Sequence, residues 1–322
     1  MTIAITPFEG LCGFRPLNEL SHFLTSVPSL SALVGEDNAK AFTTTVSGHE
    51  DDTSPEQVEK NKKALQKVFT ALMTSEAASI ASAAKELVAL AEKEGERFAG
   101  GGGPSNTGKE LAELVVRLNG QFEGDIGLFV LFFCNYVKLE VGEAMFLKAD
   151  DIHAYLSGDI IECMASSDNV VRAGFTPKHK DIPTLTSMLT YSYSPPSEQK
   201  MSPTDYPYVT LNTTAYSSSS SILYDPPIEE FAVVKTDLLK KGAKATFEGI
   251  EGPSIFIVTK GEGRVEVGAK EEVVSEGGVV FVGAGAECIL EATGEEFVTF
   301  KAFCEIEGGK ANGAVNGANG VH

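Results

Sequence analysis

Two textures of apolar and polar positions divide the chain. From Leu17 to about Gln121 apolar residues recur at spacings of three and four, through LNELSHFLTSVPSLSALVG, SPEQVEKNKKALQKVFTALMTSEAASIASAAKELVALAEKEGERF and GKELAELVVRLNGQF. That is the period of amphipathic helices. Thr107 followed by Glu110 supplies a capping-box signature for the third of them. The pattern predicts a helical domain over 17–125, preceded by a strand and turn over 1–16. From about Leu128 the texture becomes short apolar runs broken by Gly, Asp, Ser and Pro, which predicts β-structure over 126–200. The stretch from Pro195 to Ser221, rich in Ser and Pro, reads as irregular chain, with a connecting segment over 201–225. Strands of five to seven residues separated by Gly-rich turns then predict a small antiparallel barrel or jelly roll over 226–307. Residues 308–322, GGKANGAVNGANGVH, cannot bury a core and are expected to be a disordered tail.

Composition narrows the class. The 322 residues are 43% hydrophobic and 22% charged, ordinary globular material. The most apolar run, LFVLFFCNYV at 128–137, is far short of the roughly 18 residues of a membrane span and reads as a buried strand. The first residues lack the basic region and small-residue cleavage site of a secretory signal, so a cytoplasmic protein without a membrane partner is expected. A net charge of -19 with no Lys/Arg cluster argues against nucleic acid but leaves a small anionic ligand open. Five cysteines, none in a C-x-x-C, indicate neither a disulfide framework nor a thiolate metal site.

Two stretches carry candidate chemistry. GPSNTGKE at 103–110 nearly matches a phosphate-binding loop, but Glu110 stands where a hydroxyl residue would hold magnesium. It also follows a helix, so a Gly-rich helix connection is the better reading. ADDIHAYLSGDIIECMASSDNVVRAGF at 149–175 gathers a histidine, carboxylates and an arginine. A hairpin turn at LSGD would pair His153 with Glu162 and place Tyr155 on the same face as His153. A second turn at SSDN would return the chain through Arg172, opposite Glu162 only if the loop has odd length. A lone strand histidine is more often a satisfied structural residue than a ligand, and a Glu and Arg on neighbouring strands can equally be a structural ion pair.

The segments TPFEGLCGFRP, GGPSNTGKELAELV, IHAYLSGDIIECMASSDNVVRAGFTPKHKD and GPSIFIVTKGEGRV closely resemble the type I phosphomannose isomerases, the fungal members above all. The resemblance runs from Met1 to about residue 307. It implies a mainly β protein of cupin-like jelly rolls, the catalytic one over 126–200, with an inserted α-helical domain. It further implies a zinc-dependent isomerase that interconverts mannose 6-phosphate and fructose 6-phosphate, supplies precursors for GDP-mannose biosynthesis, and is a monomer when intact. By position, the resemblance makes His153 a zinc ligand, Glu162 an acidic catalytic group beside the metal, and Arg172 the catalytic arginine of V-R-A-G. Lys178 and Tyr155 become substrate-binding residues. An aldose–ketose shift through an enediol needs charge stabilisation of an oxyanion and a proton relay, which these residue types can supply.

The family's other zinc ligands come from a Q-x-H and an H-K-P-E motif, and neither occurs in this sequence. The resemblance places both upstream of Met1. The expectation is therefore an incomplete catalytic jelly roll with exposed sheet edges, doubtful zinc binding, and no activity by the chain alone. The alternative is a non-catalytic cupin remnant that binds a sugar phosphate or a protein partner.

Overall fold

The computed structural model describes residues 1–166, 169–212 and 218–304, and the chain divides into two compact units. The first holds residues 2–160 and 167–200; the second holds Met1, residues 161–166 and the chain from 201 onward. The expected tail at 308–322, and Ser167 and Asp168 of the expected SSDN turn, lie outside the described residues.

In the first unit, β1 (Thr2–Ala4) and β2 (Phe8–Phe14) lead into six helices: α1 (Leu17–Ser26), α2 (Pro28–Val34), α3 (Glu36–Val46), α4 (Pro55–Met73), α5 (Ala77–Glu94) and α6 (Gly108–Gln121). The three-and-four spacing does what it predicts: Leu20, Phe23 and Leu24, Leu65, Phe69 and Leu72, and Leu111, Val115 and Leu118 join one buried core. The capping box forms as expected, with Thr107 and Glu110 each bonding the other's backbone N–H. Glu110 is also bonded by Lys138 at 2.8 Å; that bond and the one from the Thr107 backbone bring its carboxyl down to about 2. The Gly-rich loop before α6 serves structure. Beneath it Arg15, fully buried, bonds Glu19 at 3.1 Å and Asn106 at 2.9 Å, while Ser105 donates to Glu19 at 2.6 Å.

The apolar run at 128–137 departs from its reading as a single strand. Its first part is the helix α7 (Gly127–Phe133), and only then does β3 (Cys134–Leu139) begin. A run apolar on every side carries no period, so burial all round suits either element. After β3 come β4 (Ala144–Met145) and β5 (His153–Ser157), then β6 (Ile160–Glu162), α8 (Ile182–Met188) and β7 (Lys200–Met201). β2 is the centre of a three-stranded antiparallel sheet in the order β3, β2, β5, and β1 pairs with β4.

The second unit is built on a nine-stranded antiparallel sheet whose long strands curl it. Its strands are β8 (Thr204–Asp205), β9 (Val209–Leu211), β10 (Ser220–Tyr224), β11 (Ala232–Leu238), β12 (Lys244–Phe247), β13 (Ser254–Val267), β14 (Lys270–Ser275), β15 (Val279–Val282) and β16 (Cys288–Phe303). β8, β9 and β10 fall largely where irregular connecting chain was expected; pairing with longer strands orders them, and Val209, Leu211 and Leu223 pack on the unit's core. The register of β13 against β16 shifts twice, between Val258 and Lys260 and between Gly261 and Gly263. A Cβ on Gly263 would stand 2.4 Å from the Phe297 ring.

Lys301 is the unusual residue of this unit's core, only 5% exposed. Its ammonium lies 3.8 Å from the centroid of Phe247, 5.1 Å from Tyr206 and 5.7 Å from Phe303. Ring faces compensate part of the lost hydration. Burial nevertheless pulls its pKa from 10.5 to about 8, with the Cys288 thiol opposing weakly. Because the folded pKa is the lower, the unfolded chain holds the proton more tightly, so this residue's cost is full below pH 8 and is relieved as pH rises toward 10.5. Comparing wild type with Lys301→Met by denaturant unfolding from pH 7 to 10.5 is expected to show an alkaline gain in the wild type alone, on the order of 3 kcal/mol at most. Parallel stability curves would refute that assignment.

Candidate functional site

β5 acquires its place from β2. Cys12 faces His153, Leu11 faces Ala154 and Gly10 faces Tyr155 across the pair. Period-two alternation then sends Ala154 and Leu156 toward the helical core and leaves His153 and Tyr155 on the opposite, open face. On that face Thr2, Phe8, Cys12, Met145, Leu147 and Tyr155 line a small apolar hollow of about 10 Å³. The Tyr155 hydroxyl is 2.9 Å from Thr2 Oγ1, its ring meets Phe8 edge-on, and the His153 ring is 5.8 Å away.

The expected hairpin does not form. β6 belongs to a different sheet from β5, so His153 is not paired with Glu162. The reason lies in the LSGD turn. Asp159 accepts the N–H groups of Ile5 and Thr6 at 3.0 and 3.3 Å and donates its own to Thr6 Oγ1 at 2.7 Å. Gly158, at φ +94°, packs so tightly that a Cβ would stand 2.4 Å from the Pro7 carbonyl. The turn is thus bound to the segment before β2 and does not fold back on its own strand. Glu162, exposed at the end of β6, falls in the second unit.

His153 is oriented by its own backbone neighbourhood. Its Nδ1 lies 2.9 Å from the Asp151 carbonyl oxygen, which can only accept, so Nδ1 is the donor and Nε2 is the ring nitrogen left for another partner. Cys12, opposite, donates its thiol to Gln199 Oε1 at 2.7 Å, and burial, aided by Cys134 and Asp151, pushes its pKa far above the usual range. It stays a thiol. Among the described residues no three His, Cys, Asp or Glu side chains converge as a metal site. Zinc is ordinarily held by three or four protein ligands, so the described donors, one imidazole on this face, do not fit a zinc centre.

Arg172 is half-buried between Val171 and Ala173, which pack on the helical core, and Lys178 is exposed, its N–H bonded to Thr176 Oγ1 at 3.2 Å. The structure thus brings His153 and Tyr155 together. Arg172 and Lys178 sit on the segment leading to α8.

Three residues that position this sheet were missed in the sequence. Gln199 holds the Cys12 thiol. Glu9 ties three strands to α6: it accepts from Tyr136, from Ser157 at 2.7 Å and from Arg117 at 2.6 Å, and although burial works to raise its pKa, these bonds keep it below the usual value. Asn135, completely buried, faces a bulge in β2 at Gly13 and donates to the carbonyls of Cys12, Phe14 and Ser194 at 3.1, 3.2 and 2.9 Å. None stands in a spacing that announces its role, and their partners are distant in sequence. Asn135→Ala strands these carbonyls and is expected to cost roughly 2–3 kcal/mol in denaturant unfolding, with faster amide exchange in β2 and β5. Unchanged stability and exchange would show that the bulge holds itself.

Residues 33–134 match the family described as phosphomannose isomerase type I, helical insertion domain, and residues 221–270 match phosphomannose isomerase type I C-terminal. The chain is 65% identical over 314 residues to mannose-6-phosphate isomerase of Aspergillus fumigatus, covering 96% of this chain and 69% of that protein. It is 44% identical over 307 residues to the Saccharomyces cerevisiae mannose-6-phosphate isomerase, covering 95% and 68%. The fold is similar to a solved mannose 6-phosphate isomerase described as zinc-bound, with a TM-score of 0.69 at 24% identity over 95% of this chain and 65% of that one. It is also similar to the Salmonella typhimurium enzyme described as bound to fructose 6-phosphate and zinc, with a TM-score of 0.67 at 24% identity, covering 95% and 66%. The chain spans about two thirds of the length of these relatives.

Proposed function

The chain belongs to the type I phosphomannose isomerase family, and on that premise we propose that it interconverts mannose 6-phosphate and fructose 6-phosphate. The observation that carries the proposal is the 65% identity to a named mannose-6-phosphate isomerase along nearly the whole chain. In such a reaction hydrogen moves between adjacent carbons through an enediol, and the oxygens gain negative charge on the way. Arg172 is assigned to those oxygens, because a planar guanidinium can donate two parallel hydrogen bonds to adjacent oxygens and never loses its charge. Lys178, an exposed ammonium on a flexible stem, is assigned to the phosphate, and Tyr155 to the pocket wall. His153 is the nitrogen donor this face offers a metal. For Glu162 the catalytic role rests on the family resemblance alone. Zinc is named for the solved relatives, and because the described donors do not fit it, no step is derived through it.

The test is a coupled assay for fructose 6-phosphate converted to mannose 6-phosphate, with and without added zinc, on the purified chain beside Arg172→Ala. The missing motifs led to the expectation of an inactive chain; the family membership instead leads us to expect turnover, which the substitution lowers by about a hundredfold or more without altering thermal stability. Folded chain that binds fructose 6-phosphate regardless of a chelator and never turns it over would instead make it a sugar-phosphate binding module.

A further inference from the structure

We infer that Asp125 is a positioning residue for the segment that presents Arg172 and Lys178, an inference that rests on the roles proposed above for those two cations. Asp125 sits just before α7, and both oxygens of its carboxylate are engaged. Oδ1 accepts the N–H of Gly127 and the N–H of Phe175, each at 2.7 Å. Oδ2 receives Lys180 Nζ at 3.2 Å, and the same ammonium reaches back to the Thr176 carbonyl at 3.4 Å. One side chain therefore joins the start of a helix to both ends of the 175–180 loop. The pair is well shielded, with Asp125 14% and Lys180 29% exposed, so it is screened less than a surface ion pair.

The surrounding backbone is closely packed at the same place. A Cβ on Gly174 would lie 2.8 Å from Gly127 Cα and 3.0 Å from Asp125 Oδ1, and one on Gly127 would lie 2.7 Å from the Phe175 ring. Phe175 itself adopts φ +52°, unfavourable for a bulky residue, while its ring stacks obliquely on Phe122 at 5.3 Å. Such a conformation persists only where neighbours hold it, and the Asp125 bond to its N–H is one such hold.

The consequence for the cations follows from where the anchors fall. Arg172 lies between Val171 and Ala173, both packed on the core, and immediately before the Gly174 contact. Lys178 lies inside the loop, between the bond at Phe175 and the ion pair at Lys180, with residues 177–179 exposed. The loop is thus pinned at both ends while its tip faces solvent. Fixing the backbone that carries two long cations before a ligand arrives removes part of the ordering that binding would otherwise have to supply.

The experiment compares Asp125→Ala, Asp125→Asn and Arg172→Ala in the full chain, reading KM and kcat for fructose 6-phosphate, its binding by calorimetry, and amide exchange over 170–181. Asp125→Asn keeps an oxygen for the two N–H groups but lacks the charge for Lys180. Asp125→Ala is expected to raise exchange over 170–181 while α4–α6 stay protected, and to weaken fructose 6-phosphate, in KM or Kd, about tenfold or more. Asp125→Asn is expected to recover most of that loss. Should Asp125→Ala leave exchange and fructose 6-phosphate affinity unchanged while Arg172→Ala impairs turnover, the positioning role is wrong and the functional reading survives. If Arg172→Ala changes neither turnover nor binding, the functional reading fails, and the exchange data still decide whether Asp125 holds the loop.

Discussion

A strand buried on both faces can leave no backbone group unpaired, and β2 lives under that constraint. Leu11 and Phe14 belong to the helical core, whereas Phe8 and Cys12 join a second apolar cluster on the opposite side. β2 is accordingly hydrogen-bonded along both edges, to β3 and to β5. Where the pairing with β3 slips, at Gly13, the Asn135 amide substitutes for the missing ladder. β5 then has no independent register. The direction of His153 and Tyr155 follows from how β2 satisfies its own backbone.

The helical insertion was legible because its signals are local. A period of three and four and a capping box act within a few residues, and each operates as read. The shared face of His153 and Tyr155 was legible for the same reason, since alternation along a strand needs no knowledge of its partner. Partner choice was not legible. LSGD has the residues of a tight hairpin, yet bonds from Ile5 and Thr6, with Pro7 packed against Gly158, capture it across a gap that spans the whole helical insertion. Asp125, Asn135 and Gln199 escaped notice because a single polar residue bonded to remote backbone or a remote thiol leaves no spacing to detect.

Charge illustrates how a local arrangement can oppose a global average. The chain carries -19 overall, a field that would repel a sugar phosphate at long range. Salt screens such a field beyond roughly 8 Å, so the few nearest groups govern a bound anion. In the 170–181 segment the basic residues are separated by task. Lys180 is neutralised against Asp125, whereas Lys178 stands exposed in the loop that this pair closes.

The insertion begins and ends at one point. Phe14 is the strand partner of Cys134, and the Arg15 N–H donates to the Phe133 carbonyl at 2.8 Å, so everything between returns to where it left. Closing a loop of that length costs entropy that grows only with the logarithm of its length. For chain closure alone, the insertion is therefore nearly equivalent to a tight turn. A lineage could lengthen or trim the helices away from the sheet, so long as the two ends stayed adjacent and Leu11, Phe14, Ala154 and Leu156 kept their apolar cover.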